Sequence, residues 1–145
     1  MKINVKKLQP NARLPRYGSE FAAGADLYAC TDGDVAIAPD ETVFLHTGIA
    51  VELPQGTVGL VYARSGLACK KDLAPANKVG VIDCDYRGEI MVAMHNHGKE
   101  VRTVSDGERI AQLVVAPYYV AEFEEAETLN DTVRGEGGFG STGAK

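Results

Sequence analysis

The strongest constraint on the fold is a rhythm: short β-branched or alternating apolar runs, cut by turn residues, with no long stretch of helical period. Thr42 to Leu53 (TVFLHTGIAVEL) reads as strand, Pro54 to Gly56 as a turn, and Thr57 to Ala63 (TVGLVYA) as a second strand. Lys78 to Ile82 (KVGVI), a turn over Asp83 to Gly88 (DCDYRG) and Glu89 to Asn96 (EIMVAMHN) read together as a β-hairpin. Arg109 to Val120 (RIAQLVVAPYYV) is another buried strand, with Pro117 marking an edge or bend. One short helix is expected over Ser65 to Lys71 (SGLACKK), with Ser65 as its N-cap. Many short strands at near-regular spacing predict an all-β sandwich or barrel. The 16 Gly, the 6 Pro and the absence of Trp suit such a turn-rich chain.

At 145 residues and 45% hydrophobic content the chain fits one domain with one moderate core. Apolar density collapses from Leu129 onward. The expected organisation is therefore a β-barrel core over residues 1–128 and a Gly-rich C-terminal arm over residues 129–145. No apolar run reaches the roughly 18 residues that span a bilayer. The N-terminal MKINVKKLQP lacks the apolar stretch of a signal peptide. A soluble, cytoplasmic protein with no membrane partner is expected. Cys30, Cys69 and Cys84 are odd in number and form no CxxC pair, which argues for a reducing compartment and against a disulfide framework. The net charge of −5 argues against nucleic acid as a partner, so any anionic ligand needs a local cluster of Arg and Lys.

Arg134 to Gly143 (RGEGGFGSTG) poses the sharpest question. A Walker phosphate loop needs a Lys before the Ser/Thr and a helix after it; here the Lys is missing and the chain ends shortly beyond. Glycine content alone suits a solvating tail. Arg134 and Phe139 among the glycines suit a lid instead, with Gly as hinge, Arg and hydroxyls for phosphate, and Phe to stack on a ring. Ordering ten such residues costs on the order of 10 kcal/mol. The arm is thus expected to order only over a bound ligand.

Four other stretches carry candidate chemistry. In YARSGLACK, Arg64, Ser65 and Gly66 stand at a strand-to-helix junction, which suits phosphate as well as an ordinary capped helix. In NKVGVIDCDYRG, Asp83 and Asp85 fit turn positions, and equally a base that takes a proton from water. There Tyr86 could stack on a sugar, and Asn77 offers a donor and an acceptor to the edge of a base. In AAGADLYA, Asp26 follows a Gly turn, where it could cap that turn or orient water on a magnesium ion. His95 and His97 could share a face, but no third metal ligand of matching spacing stands nearby, so surface or core histidines are the preferred reading.

AAGADLYA, ARSGLA, GVIDCDYRGEI, GERIAQLVV and RGEGGFGSTG, in that order and covering nearly the whole chain, resemble the trimeric deoxyuridine triphosphate nucleotidohydrolases, the dUTPases. The resemblance implies a jelly-roll-like β barrel, a homotrimer with three active sites at subunit interfaces, and hydrolysis of dUTP to dUMP and pyrophosphate with Mg²⁺ on the triphosphate. It implies a biological role as well, keeping uracil out of DNA and supplying dUMP for thymidylate synthesis. Carried onto this chain, it makes Asp83 the base that activates water against the α-phosphorus. It gives the uracil edge to Asn77 and the backbone around Gly80, Val81, Ile82 and Asp83. Tyr86 would pack on the deoxyribose and Met91 would line the same pocket. Arg64, Ser65 and Gly66 would hold phosphates, and Asp26 and Gln112 would hold phosphates or the waters of the metal. Arg134, Phe139, Gly140, Ser141 and Thr142 would form a closing arm lent by a neighbouring subunit. Many relatives carry Pro before the Arg-Ser-Gly; Ala63 stands there in this chain, which bears on the rate rather than the chemistry. Two other readings are a dCTP deaminase-like enzyme, which shares the fold but uses a catalytic Glu, and a non-catalytic dUTPase-like regulator.

Overall fold

The computed structural model describes residues 1–138. It is built almost wholly of strands joined by turns, with one helix among the described residues. The largest sheet is antiparallel and has five strands: β2 (Arg16–Tyr17), β3 (Ala25–Tyr28), β7 (Thr57–Tyr62), β9 (Val79–Ile82) and β12 (Arg109–Pro117). Their order across the sheet is β2-β3-β12-β7-β9. A three-stranded sheet sets β10 (Met91–Asn96) between β5 (Thr42–His46) and β8 (Leu73–Pro75). Two ribbons complete the set: β1 (Asn4–Lys7) on β6 (Ile49–Glu52), and β4 (Val35–Ile37) on β11 (Arg102–Val104). Their inner faces enclose one core that includes Leu27, Ile37, Leu45, Ile49, Leu73, Ile90, Met94 and Ile110. This is a jelly-roll-like β fold.

The strand rhythm of the sequence follows from this burial. Along β7 buried and half-buried residues alternate, as a strand with one face on the core requires. The run from Thr42 to Leu53, expected as one strand, is two: β5 and β6 break at Thr47–Gly48. Gly48 has φ +67°, and a Cβ there would lie 2.7 Å from Cys30 Sγ, so only glycine suits this corner between two sheets. The expected hairpin over Lys78 to Asn96 does not form. β9 bonds to β7 and β10 bonds to β5 and β8, so residues 83–90 carry the chain from one sheet to the other.

Helix α1 spans Ser65–Lys71, the limits expected from sequence, but its N-cap is Arg64, with extended backbone and no side-chain cap bond. Ser65 is the first helical residue rather than the cap. Its C-terminus is satisfied by Arg102, whose Nε donates to Lys71 O at 3.0 Å, and by left-handed Asp72. No helix among the described residues is long and apolar enough to cross a membrane.

Candidate active site

Two groups of residues stand out, at opposite ends of β7. The first is centred on Asp26, a carboxylate on buried strand β3. Burying a charge this deeply requires partners, and it has two. Arg64 Nε donates to Oδ1 at 2.8 Å and Arg109 Nη1 to Oδ2 at 3.2 Å. Arg64 comes from the end of β7 and Arg109 from the start of β12, and both strands are brought alongside β3 by the sheet. Arg109 is a site residue that the sequence reading misses. Its place three positions before Gln112 gives no usable signal, because that spacing is out of phase on a regular strand.

Residues three apart on a regular strand face opposite sides of the sheet. Here the β3–β12 register shifts between Arg109 and Ala111, so Ile110 is an extra residue. That bulge reverses the parity and turns Arg109 and Gln112 to the same side, beside Asp26. Gln112 Nε2 donates to Ala63 O at 2.8 Å. A Cβ on Gly24 would lie 2.5 Å from Gln112 Oε1, so glycine at 24 leaves room for that amide. Asp26, Arg64, Ser65, Gly66, Arg109 and Gln112 thus line one cleft. It is a small basic recess in an acidic protein, suited to polyanionic oxygens.

The second group lies on and after β9. Asp83, Cys84, Asp85 and Arg87 line a cleft with Tyr118, which follows the end of β12. The loop is bound to itself: Tyr86 N–H donates to Asp83 O at 3.1 Å, and Arg87 Nη1 donates to Cys84 O at 2.8 Å and Tyr86 O at 3.0 Å. Asp83 is exposed. The Tyr118 hydroxyl lies 3.8 Å from Cys84 Sγ; that contact, with the Asp83 and Asp85 carboxylates, pushes the phenol pKa up. Val81, Tyr86 and Met91 are exposed apolar residues, and Asn77 lies at the turn before β9 with its amide near Gly80. β9 is the last strand of its sheet, so one backbone edge is open to a ligand among the described residues.

The recess and the Asp83 loop do not meet within one chain, although β9 runs back toward the recess, with Val79 opposite Tyr62. Ile82 lies opposite Gly59, so Asp83 is level with Val58, six residues before Arg64. At a strand rise of roughly 3.3 Å per residue this separates them by on the order of 20 Å. Of the expected arm, Arg134 is described, and its Nε donates to Gly137 O at 2.7 Å. Phe139, Gly140, Ser141 and Thr142 lie outside the described residues. The His95 and His97 rings meet edge to face at 4.3 Å; burial, then the neighbouring His95, hold His97 below the ordinary imidazole value.

Known proteins match nearly the whole chain. The dUTPase family model matches residues 10–143. A deoxyuridine 5′-triphosphate nucleotidohydrolase of Desulfitobacterium hafniense is 51% identical over 144 residues, covering 99% of this chain and 95% of that protein. One from Syntrophotalea carbinolica is 50% identical over 141 residues, covering 97% and 96%. Among solved structures, the Staphylococcus bacteriophage 80alpha dUTPase with dUPNHPP superposes with a TM-score of 0.86 at 31% identity, covering 98% of each chain. With a family match over nearly its full length and relatives at half identity, the chain belongs to the dUTPase family.

Proposed function

We propose that this protein is a dUTP diphosphatase that hydrolyses dUTP to dUMP and pyrophosphate by attack of water on the α-phosphorus, working as a homotrimer. The observation that carries the reading is the pair of half-sites on a dUTPase-family chain: an arginine-lined recess and an exposed Asp83 loop, on the order of 20 Å apart along one strand. A triphosphate is far too short to bridge them. A neighbouring subunit that sets its Asp83 loop beside this recess completes a site. Exposed Tyr119, Val120 and Phe123, beyond the last strand, support a C-terminal segment that packs on another copy.

In that assembled site each group has a physical task. Asp83, exposed on its loop, accepts a proton from the attacking water; an amide in its place could hold the water but not take the proton. The open edge of β9 over Gly80, Val81 and Ile82, with Asn77, pairs with the uracil edge. Cytosine offers a donor where uracil offers an acceptor and leaves a buried polar group unpaired. Tyr86 packs on the deoxyribose, where a 2′-hydroxyl would collide, and Met91 lines the same pocket. Arg64, Ser65, Gly66 and Gln112 hold the phosphates. Arg134, Phe139, Gly140, Ser141 and Thr142 close over the nucleotide.

Both Asp26 oxygens already accept from guanidinium groups, and among the described residues no cluster of three or more His, Cys, Asp or Glu could cage a metal. This donor set fits a Mg²⁺ ion carried on the substrate phosphates, with Asp26 reaching its waters through remaining lone pairs. Bound there, Mg²⁺ would draw charge from the pyrophosphate leaving group. The substrate brings about four negative charges to a chain of net charge −5. Arg64 and Arg134 therefore supply positive potential at the phosphates.

The test is pyrophosphate release from dUTP, dTTP, dCTP and UTP, with and without Mg²⁺, by the parent and by Asp83→Asn. Metal-dependent release from dUTP alone is expected. Asp83→Asn should bind a non-hydrolysable dUTP analogue while losing at least about a thousandfold in turnover. Undiminished turnover in that variant refutes Asp83 as the base, and ammonia from dCTP would move the assignment to a deaminase.

A further inference from the structure

The deoxyribose role of Tyr86 requires a ring that stays put, yet Tyr86 is 42% exposed on a loop that crosses between two sheets. An exposed tyrosine ordinarily samples several rotamers, and a ring that swings aside excludes nothing. What fixes it is found in the three residues that follow. The ring folds back over Gly88, where a Cβ would overlap the phenol and lie 2.9 Å from Cε2. The Tyr86 hydroxyl then donates to Glu89 O at 3.0 Å. Any side chain at 88 forces the ring off this seat.

The seat is itself anchored. Glu89 Oε1 accepts from Gly48 N–H at 2.7 Å, and Oε2 lies 2.8 Å from His46 Nδ1. Immediately beyond, Ile90 N–H donates to Ile49 O at 2.9 Å, and buried Thr47 Oγ1 donates to Ile90 O at 2.6 Å. The Glu89 carboxylate thus ties the carbonyl that holds Tyr86 to the corner between β5 and β6. That corner is core structure: Thr47, Ile49 and Ile90 are each at most 1% exposed.

We propose that Gly88 and Glu89 are positioning residues for sugar selectivity: Gly88 makes the seat for the Tyr86 ring, and Glu89 locks that seat to the β5–β6 corner. The inference rests on Tyr86 packing against the deoxyribose, as assigned above. It adds that discrimination against ribonucleotide depends on two residues that need not touch the substrate.

The experiment measures kcat/KM for dUTP and for UTP in the parent, Tyr86→Ala, Gly88→Ala, Glu89→Ala and Glu89→Gln, with thermal melting of each. Tyr86→Ala should collapse the dUTP preference. Gly88→Ala should lower it about tenfold, and Glu89→Ala, which loses the bond from Gly48 N–H and the solvent-discounted contact with exposed His46, by about threefold to tenfold. Glu89→Gln keeps an acceptor for Gly48 N–H and should recover part of the loss. A merely structural role would lower both substrates together and leave their ratio unchanged. If Tyr86→Ala lowers the preference but Gly88→Ala and both Glu89 variants keep the parental ratio, the positioning role is overturned while the Tyr86 assignment stands. If Tyr86→Ala keeps the ratio, the sugar assignment fails and the inference fails with it.

Discussion

Replacing Asp26 by asparagine isolates the charge that organises the basic recess. The amide is isosteric, so packing on β3 is unchanged and the effect is electrostatic. In Asp26→Asn the amide oxygen could still accept from Arg64 Nε, now as a neutral acceptor; the amide NH₂ would face Arg109 Nη1, donor against donor. Charged hydrogen bonds contribute about 1.5–3 kcal/mol each, against about 1 kcal/mol for neutral ones. The two contacts weigh differently, because the Arg64 side chain is only 25% exposed while that of Arg109 is 52% exposed and regains water once released. Weakening the first and losing a solvent-discounted second destabilises the protein by about 2 kcal/mol. For a chain of this length that lowers Tm by about 6 °C, measured by calorimetry at matched protomer concentration because assembly shifts Tm. With Arg64 less firmly tethered, kcat/KM for dUTP should also fall by about tenfold. An Asp26→Asn variant that melts within about 2 °C of the parent would refute the reasoning that the Asp26 charge stabilises the protein through its two arginines.

Further outcomes follow from other contacts. Gly24→Ala should drive the Gln112 amide from Ala63 O, lowering stability by about 1 kcal/mol in thermal melts and raising KM for dUTP; an unaltered KM would show that Gln112 does not serve the phosphates. Ending the chain at Asn130 should cut turnover at least about tenfold, through lost positioning of the phosphates, while size-exclusion chromatography shows the parental oligomer; full activity would refute the lid. The Cys30 thiol, buried, has its pKa pushed up by that burial and then by nearby carboxylates, Asp106 foremost. Native-state alkylation followed by mass spectrometry should therefore label Cys30 last and exposed Cys69 well before it, and early labelling of Cys30 would contradict this.

Local features are well marked in the sequence. The limits of α1 and the start of β12 follow from apolar period and breaker residues, which act over a few positions. Pairing partners are harder to read, because they depend on which distant strand shares the core. Val79–Ile82 and Met91–Asn96 carry every local mark of a hairpin, yet they bond to different sheets, since the inner faces of both must reach one core. The site divides in the same way. Asp83, Arg64 and Asp26 are visible as residue types in suggestive settings. Arg109 is not, because its partner Asp26 lies 83 positions away and only the bulge at Ile110 turns it toward the cleft.

The separation of the two half-sites along β7 carries a genetic consequence. In the proposed trimer each copy donates its recess to one active site and its Asp83 loop to another. Damage to either half in one copy silences a single site and leaves that copy's other half serviceable. Two alleles that are each inactive, one crippled at Arg64 and the other at Asp83, would then complement when co-expressed, because mixed trimers contain sites assembled from two sound halves. A cell with both alleles would be a phenotypic heterozygote whose activity arises from shuffling of subunits, and the strand that holds the halves apart would be the reason.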